Sequence, residues 1–238
     1  MAHQSRIPLT VVLVHGTFTG PSQWLAVVSQ LRQAGVAAHL ADNPLRQLAG
    51  DAESVAGQAR AIAGRVLLAG HAYGGAVITS AAAQVDNAVG LVYVCGYALD
   101  TDESVADIDA RYPPELPPGA PRLGGVPAHV FRSVVAGDLP AATTASMAAA
   151  RPTAAAACFT DRLAGPPAWR HLPSWYVVAA DDHVVNPRAQ RFMATRAGSH
   201  LTETAGSHAV AVSQPTAVTD AVLTAAHVLA RNPNLEET

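Results

Sequence analysis

The chain has 238 residues, half of them hydrophobic and 14% charged, with a formal net charge of -3. That length favours one domain, at most one with an inserted lid, and the apolar content is ample for a sizeable core. That negative balance suggests no basic face of the kind that binds nucleic acid, and all fifteen basic residues are Arg, none Lys.

Residues 7–14 form a short apolar run after Arg6 that ends in His15-Gly16. It is too short for a spanning helix and lacks the cleavage site of a secretory signal. Cys95 and Cys158 are too few for a disulfide framework. Both sit among apolar residues and read as reduced core thiols of a cytoplasmic protein.

Residues 9–14 are a β-branched apolar run closed by Gly16, the pattern of a buried parallel strand. A helix is expected over 21–34, with Trp24, Leu25, Val28 and Leu31 at helical spacing and Gly35 as its stop. A second strand follows at 36–41, a helix at 52–62 and a third strand at 66–69. This strand enters Gly70-His71-Ala72-Tyr73-Gly74-Gly75, and a small-residue helix continues to Ala83. A fourth strand covers 89–96. From about Tyr97 to Leu172 no clean strand is expected. Residues 113–119 are Pro-rich loop, 141–150 are helical, and the Ala-rich stretch 148–157 reads as helix kinked at Arg151-Pro152. Alternation resumes with a strand at 174–180, a helix at 187–197, a strand at 200–204 and a C-terminal helix over 208–229 broken near Pro215. Strict alternation implies a mostly parallel sheet of about six strands with helices on both faces. The interruption implies an inserted helical cap at 99–170, leaving 1–98 and 171–238 as the core.

The strand-turn-helix at 70–75 carries the strongest chemical signal. It has the spacing of a G-x-S-x-G nucleophile elbow, with Ala72 where the nucleophile belongs. Such a turn holds its central residue in a strained conformation, and the flanking glycines let strand and helix pass closely. The end of the first strand, Val11-Val12-Leu13-Val14-His15-Gly16-Thr17, is the second signal.

Together these segments resemble the α/β-hydrolases, and within them the small esterases related to plant hydroxynitrile lyases and methyl-ester esterases. The resemblance runs from about Leu9 to about Val228 and implies an α/β-hydrolase fold. It also implies an oxyanion hole from the backbone N–H groups of Thr17 (or its neighbour Phe18) and Tyr73. The chain order of nucleophile, acid and histidine places the acid at Asp182, with Asp181 the adjacent loop carboxylate, and the histidine at His208 in Ala205-Gly206-Ser207-His208. Asp100 and Asp102, after the fourth strand, are the alternative acids.

On this reading His208 exchanges the nucleophile's proton while Asp182 orients its ring. Ala72 has no hydroxyl, so no acyl-enzyme can form on it. Three origins fit the alanine: an engineered Ser→Ala change that traps ligand, a naturally nucleophile-less relative that binds a ligand, or a different original nucleophile such as Asp. The expected substrate is a small uncharged ester, lactone or thioester, with a cofactor-free lyase as the alternative chemistry. Phe18, Tyr97, Met147 and Phe159 are the expected substrate contacts, and the side chain of Tyr73 is expected near the pocket with Phe18. No cofactor, metal, nucleic-acid or membrane partner is implied, and the chain is read as a monomer or homodimer. Of the other histidines, His15 is expected to hold the oxyanion loop, His71 to pack beside the elbow, His183 to lie on a loop surface and His3 to sit in a tail. Trp24 is expected to pack its helix on the core.

Overall fold

The computed structural model describes residues 8–116, 126 and 129–231. His3 and the last residues of the Pro-rich loop expected at 113–119 lie outside them. Six strands form one sheet: β1 (Leu9–Val14), β2 (Ala37–Leu40), β3 (Arg65–His71), β4 (Ala88–Val94), β5 (Ser174–Ala179) and β6 (His200–Thr204). Their order is β2-β1-β3-β4-β5-β6, and every pairing is parallel. The helices are α1 (Leu25–Gln33), α2 (Leu48–Arg60), α3 (Tyr73–Ala81), α4 (Val105–Arg111), α5 (Phe131–Val135), α6 (Ala141–Ala150), α7 (Ala157–Thr160), α8 (Pro187–Arg196), α9 (Val210–Ser213) and α10 (Pro215–Arg231).

Successive strand residues point to opposite faces, so each apolar run is divided between two cores. Val12, Val14, Val66, Leu68, Leu91 and Tyr93 pack with α2, α3 and α8 on one face. Val11, Leu13, Leu67, Ala69, Val92 and Val94 pack with α1 and α10 on the other. The central strands are mostly apolar because neither face meets water, with polar residues such as Arg65, His71 and Ser174 at their ends. This is the α/β-hydrolase fold, a six-stranded all-parallel sheet with helices.

The structure refines three expectations. The helix read at 21–34 opens as a separate 3-10 turn, Pro21–Trp24, before α1. The Ala-rich stretch does not stay helical: α6 ends at Ala150, and Arg151 is extended with ψ 138°. Arg151 precedes Pro152, whose ring disfavours helical backbone in the residue before it. The C-terminal helix divides at Pro215 into α9 and α10. Between β4 and β5 the described residues contain helices and no strand. Among the described residues, no helix is long and apolar enough to cross a membrane.

Candidate active site

Parallel strands deliver their following loops to one edge of the sheet, where α/β folds place their ligand sites. Here the loops after β1, β3, β5 and β6 meet. Ala72 joins β3 to α3 with φ +50° and ψ -120°, a backbone region that costs a non-glycine residue about 1–3 kcal/mol. Its carbonyl accepts the N–H groups of Gly75 at 2.9 Å and Tyr97 at 3.0 Å. The flanking glycines are sterically required. A Cβ on Gly70 would stand 2.4 Å from the Gly74 carbonyl oxygen, and one on Gly74 would stand 2.5 Å from that of Val14.

Tyr73 is the first residue of α3, so its N–H has no acceptor within the helix and forms part of the positive end of the helix dipole. The loop after β1 lies against the elbow: a Cβ on Gly16 would come 2.8 Å from the Ala72 methyl. Thr17 and Phe18 follow directly in this loop, and the Phe18 ring meets that of His208. His15 steadies the loop, its Nδ1–H donating to the Gly16 carbonyl at 3.0 Å, while Asn43 donates to the His15 carbonyl at 2.9 Å. Burial lowers the His15 pKa below its usual value of 6.5, against opposing bonds from the Gly16 and Thr19 backbone.

Asp182 and His208 are both fully withdrawn from solvent and lie 2.9 Å apart, carboxylate Oδ2 to imidazole Nδ1. The other carboxylate oxygen accepts the N–H groups of Val184 at 2.8 Å and Val185 at 2.9 Å. Gln190 of α8 donates to Oδ2 at 3.0 Å. With Nδ1 bonded to Asp182, the other ring nitrogen of His208, Nε2, is a buried atom with no hydrogen-bond partner among the described residues. The His208 ring packs 4.6 Å, centroid to centroid, from His71, which immediately precedes Ala72. It also meets Phe18 edge-on at 6.3 Å.

Two further groups hold His208 in place: His71, expected to pack beside the elbow, and Asp138, which nothing in the sequence marks. His71 donates from Nε2 to the His208 carbonyl at 2.8 Å. Its burial, reinforced by the neighbouring His208, pushes its pKa well below 6.5, so the ring is a neutral donor. Asp138, just beyond α5, accepts the Ser207 hydroxyl at 2.5 Å and the Ser207 N–H at 3.0 Å. Burial alone would raise the Asp138 pKa, but these bonds hold it below the usual carboxylate range. No local motif marks Asp138 or Gln190; only the folded chain brings them to the site.

Two of the alternative carboxylates are engaged elsewhere, and Asp102 is exposed. Asp181 accepts the Gly206 N–H at 3.2 Å, and Asp100 pairs with Arg170 at 2.5 Å. Asp102 donates its N–H to the Leu163 carbonyl. His71, Cys95 and His208 could bring one ligand atom each within 4.8 Å of one another. The Cys95 thiol, however, is kept protonated by burial and directed at the His208 carbonyl, so this trio reads as support for the loop.

Of the expected substrate contacts, Phe18 and Phe159 come together, with ring centroids 6.4 Å apart. They line a cavity of about 160 Å³ with Thr17 and Arg151. Met147 lines a neighbouring cavity of about 290 Å³ beside Thr19 and Gln23. The two tyrosine hydroxyls point elsewhere. Tyr73 donates to Asp51 at 2.8 Å, because the first turn of α3 turns its ring towards α2, and Tyr97 donates to Asp109 of α4 at 2.8 Å. His183 is an exposed loop residue paired with Glu115. Trp24 is fully buried against the sheet.

Comparison with known proteins agrees with this architecture. Residues 11–221 match the model of the alpha/beta hydrolase family. No curated protein sequence matches. Among solved structures, a pyrethroid hydrolase from Sphingobium faniae JZ-2 is similar at 21% identity and TM-score 0.75, covering 94% of this chain and 98% of its own. A methylesterase from Arabidopsis is similar at 18% identity and TM-score 0.75, covering 93% and 100%. Polyneuridine aldehyde esterase is similar at 16% identity and TM-score 0.76, covering 92% and 99%. With the matched region spanning nearly all of the sheet and the loops that converge on residue 72, the chain belongs to the α/β-hydrolase family.

Proposed function

We propose that this chain carries the substrate-binding and charge-stabilising parts of a carboxylic-ester hydrolase, with alanine in the nucleophile position. The observation that carries the reading is the buried Asp182–His208 pair, its imidazole packed 4.6 Å from the ring of His71, the residue before the strained Ala72 at φ +50°. Similar folds named as a hydrolase, a methylesterase and an esterase support an ester substrate. Phe18 and Phe159 give the cavity two aromatic walls, which suit the hydrocarbon part of an ester, lactone or thioester.

With serine at position 72, the reaction proceeds by acyl transfer. The hydroxyl proton passes to His208 Nε2 as the oxygen attacks the carbonyl carbon. The developing oxyanion is held by the N–H groups of Tyr73 and of Thr17 or Phe18, and His208 then returns the proton to the departing alcohol. Water attacks the acyl group by the same route in reverse. With alanine the substrate binds without acylation, and the loss relative to serine is about a millionfold in kcat. The chain as it stands is thus a binding protein for such molecules, whether alanine arose by design or by descent.

The test is Ala72→Ser assayed with p-nitrophenyl acetate and butyrate, alongside a cyanohydrin. Ester turnover above the Ala72 protein, with an acyl adduct on residue 72 in the mass spectrum, is expected. Turnover that stays at background rejects the ester reading, and cleavage of the cyanohydrin alone assigns a lyase.

A further inference from the structure

The cavity beside the candidate centre holds a cation that no carboxylate answers. It is lined in part by Thr17, Phe18, Arg151 and Phe159 and measures about 160 Å³. Phe18 meets the His208 ring on one side and the Phe159 ring on the other, so the cavity adjoins the centre. Arg151 directly follows α6 and is half-buried. Its Nη1 donates to the Val126 carbonyl at 2.6 Å, and its guanidinium carbon lies 6.0 Å from the centre of the Phe131 ring. Nε and Nη2 have no hydrogen-bond partner among the described residues, and both keep accessible surface. The free nitrogens of Arg65, by contrast, are shut away from solvent. Arg60, Arg162, Arg170, Arg191 and Arg196 each pair with a carboxylate at 3.0 Å or less. Arg151 has no such partner among the described residues, and no acidic residue lines its cavity. A partly desolvated cation without a counter-charge costs free energy that an anionic ligand recovers.

We propose that Arg151 is a specificity-determining residue whose guanidinium binds a carboxylate on the molecule that occupies this cavity. Nε and Nη2 form the side edge of the guanidinium, a fork that can grip both oxygens of one carboxylate. Arg191 uses that same edge on Glu203, at 3.0 and 2.5 Å. The substrate class is then a half-ester, with a carboxylate at one end, a hydrocarbon spacer, and the ester at the other. The spacer runs along Phe18 and Phe159. Arg151 is the one cation among the lining residues, which suits a singly charged carboxylate better than a doubly charged phosphate. The uncharged substrate expected from the sequence thereby gives way to a monoanion. Calling that molecule a substrate rests on the ester reading; the preference for an anion does not.

The experiment uses the full chain with Ala72 in place, so no chemistry is required. Monomethyl adipate, which is anionic, and dimethyl adipate, its neutral counterpart of nearly the same outline, are titrated by calorimetry. The monoester should bind about tenfold more tightly, the low end for hydrogen bonds to a charged group because the site is open to water. Added salt should narrow the difference. In Arg151→Met the two esters should bind alike, whereas Arg151→Lys should keep part of the preference, since it retains the charge without the fork. If Arg151→Met fails to fold for want of the bond to Val126, Arg151→Gln, which keeps an N–H and drops the charge, carries the same expectation. A monoester that does not bind, equal affinities in the parent chain, or a preference that survives in the charge-free variant would overturn the proposal. In an Ala72→Ser background, mono-p-nitrophenyl adipate should exceed p-nitrophenyl methyl adipate in kcat/KM, and Arg151→Met should abolish that difference. A serine variant inactive on every ester would retire the ester reading and leave the binding result standing. An active one that treats the two esters alike would retire the role of Arg151 alone.

Discussion

Replacing Ala72 with glycine separates a strained turn from an ordinary buried alanine. The φ of +50° and ψ of -120° at Ala72 place about 1–3 kcal/mol of strain in the folded state, which glycine removes. Against this stand the loss of a buried methyl, about 0.8 kcal/mol, and the greater freedom of glycine in the unfolded chain, about 0.5–1 kcal/mol. The two sides nearly cancel at the low end and leave about 1 kcal/mol of stabilisation at the high end. Ala76, fully buried in α3, is the control. It carries no such strain, so Ala76→Gly should cost about 1.5–2 kcal/mol from the methyl and helix propensity together. Urea unfolding monitored by far-UV circular dichroism gives both values, and Ala72→Gly should come out at least about 1 kcal/mol the more stable. Two substitutions equally destabilising would show that residue 72 is relaxed, and the argument from a built elbow would fail.

Acid should weaken the fold through His71. Its folded pKa lies well below 6.5, so above pH 6.5 both states are neutral and it contributes no slope. Below that, the unfolded chain takes up a proton that the folded ring refuses, and stability falls by up to about 1.4 kcal/mol per pH unit until the folded pKa is reached. His71→Gln should flatten urea midpoints measured between pH 7 and pH 5. In an Ala72→Ser background, Asp138→Ala should lower kcat/KM about tenfold to a hundredfold by loosening the His208 loop. KM should change little, and Asp138→Asn should recover part of the loss. Arg196 of α8 grips both carboxylate oxygens of Glu103 at 2.6 and 3.0 Å and the Ala98 carbonyl at 2.8 Å. Arg196→Met should therefore cost about 2 kcal/mol in urea unfolding.

The parts of the site that depend on neighbours in sequence were legible, and those that depend on distant partners were not. Gly70 and Gly74 announce the elbow because a tight turn imposes its demand at fixed spacing. The apolar strands show themselves by composition, since a sheet covered on both faces leaves few positions for a polar residue. Asp182 could be selected over Asp181 only through the family resemblance, as adjacent carboxylates look alike until the backbone turns one inward to meet Val184, Val185 and His208. Asp138 reaches Ser207 across 69 positions of chain, a separation that leaves no periodic trace. The hydroxyl of Tyr73 turns away to Asp51 because the first turn of a helix fixes where its side chains point. Reading Tyr73 as a neighbour of the pocket did not foresee that its ring turns to α2.

The unpartnered Nε2 of His208 turns the missing oxygen into a stability measurement. A buried acceptor without a donor costs about 1–3 kcal/mol, and a hydroxyl that reaches it recovers about 1 kcal/mol net. Ala72→Ser should therefore stabilise the protein by about that amount, although it adds a polar atom to a buried position, a change that ordinarily costs free energy. The gain should depend on the imidazole: with His208→Ala in the background, the same serine should be neutral or destabilising. The coupling between the two substitutions, read from a double-mutant cycle in urea, should be about 1 kcal/mol. A serine equally welcome with and without His208 would place the two side chains out of contact, and would remove the geometric basis for an acyl-transfer site at residue 72. This measurement needs no substrate, so it tests the arrangement separately from any choice of ester.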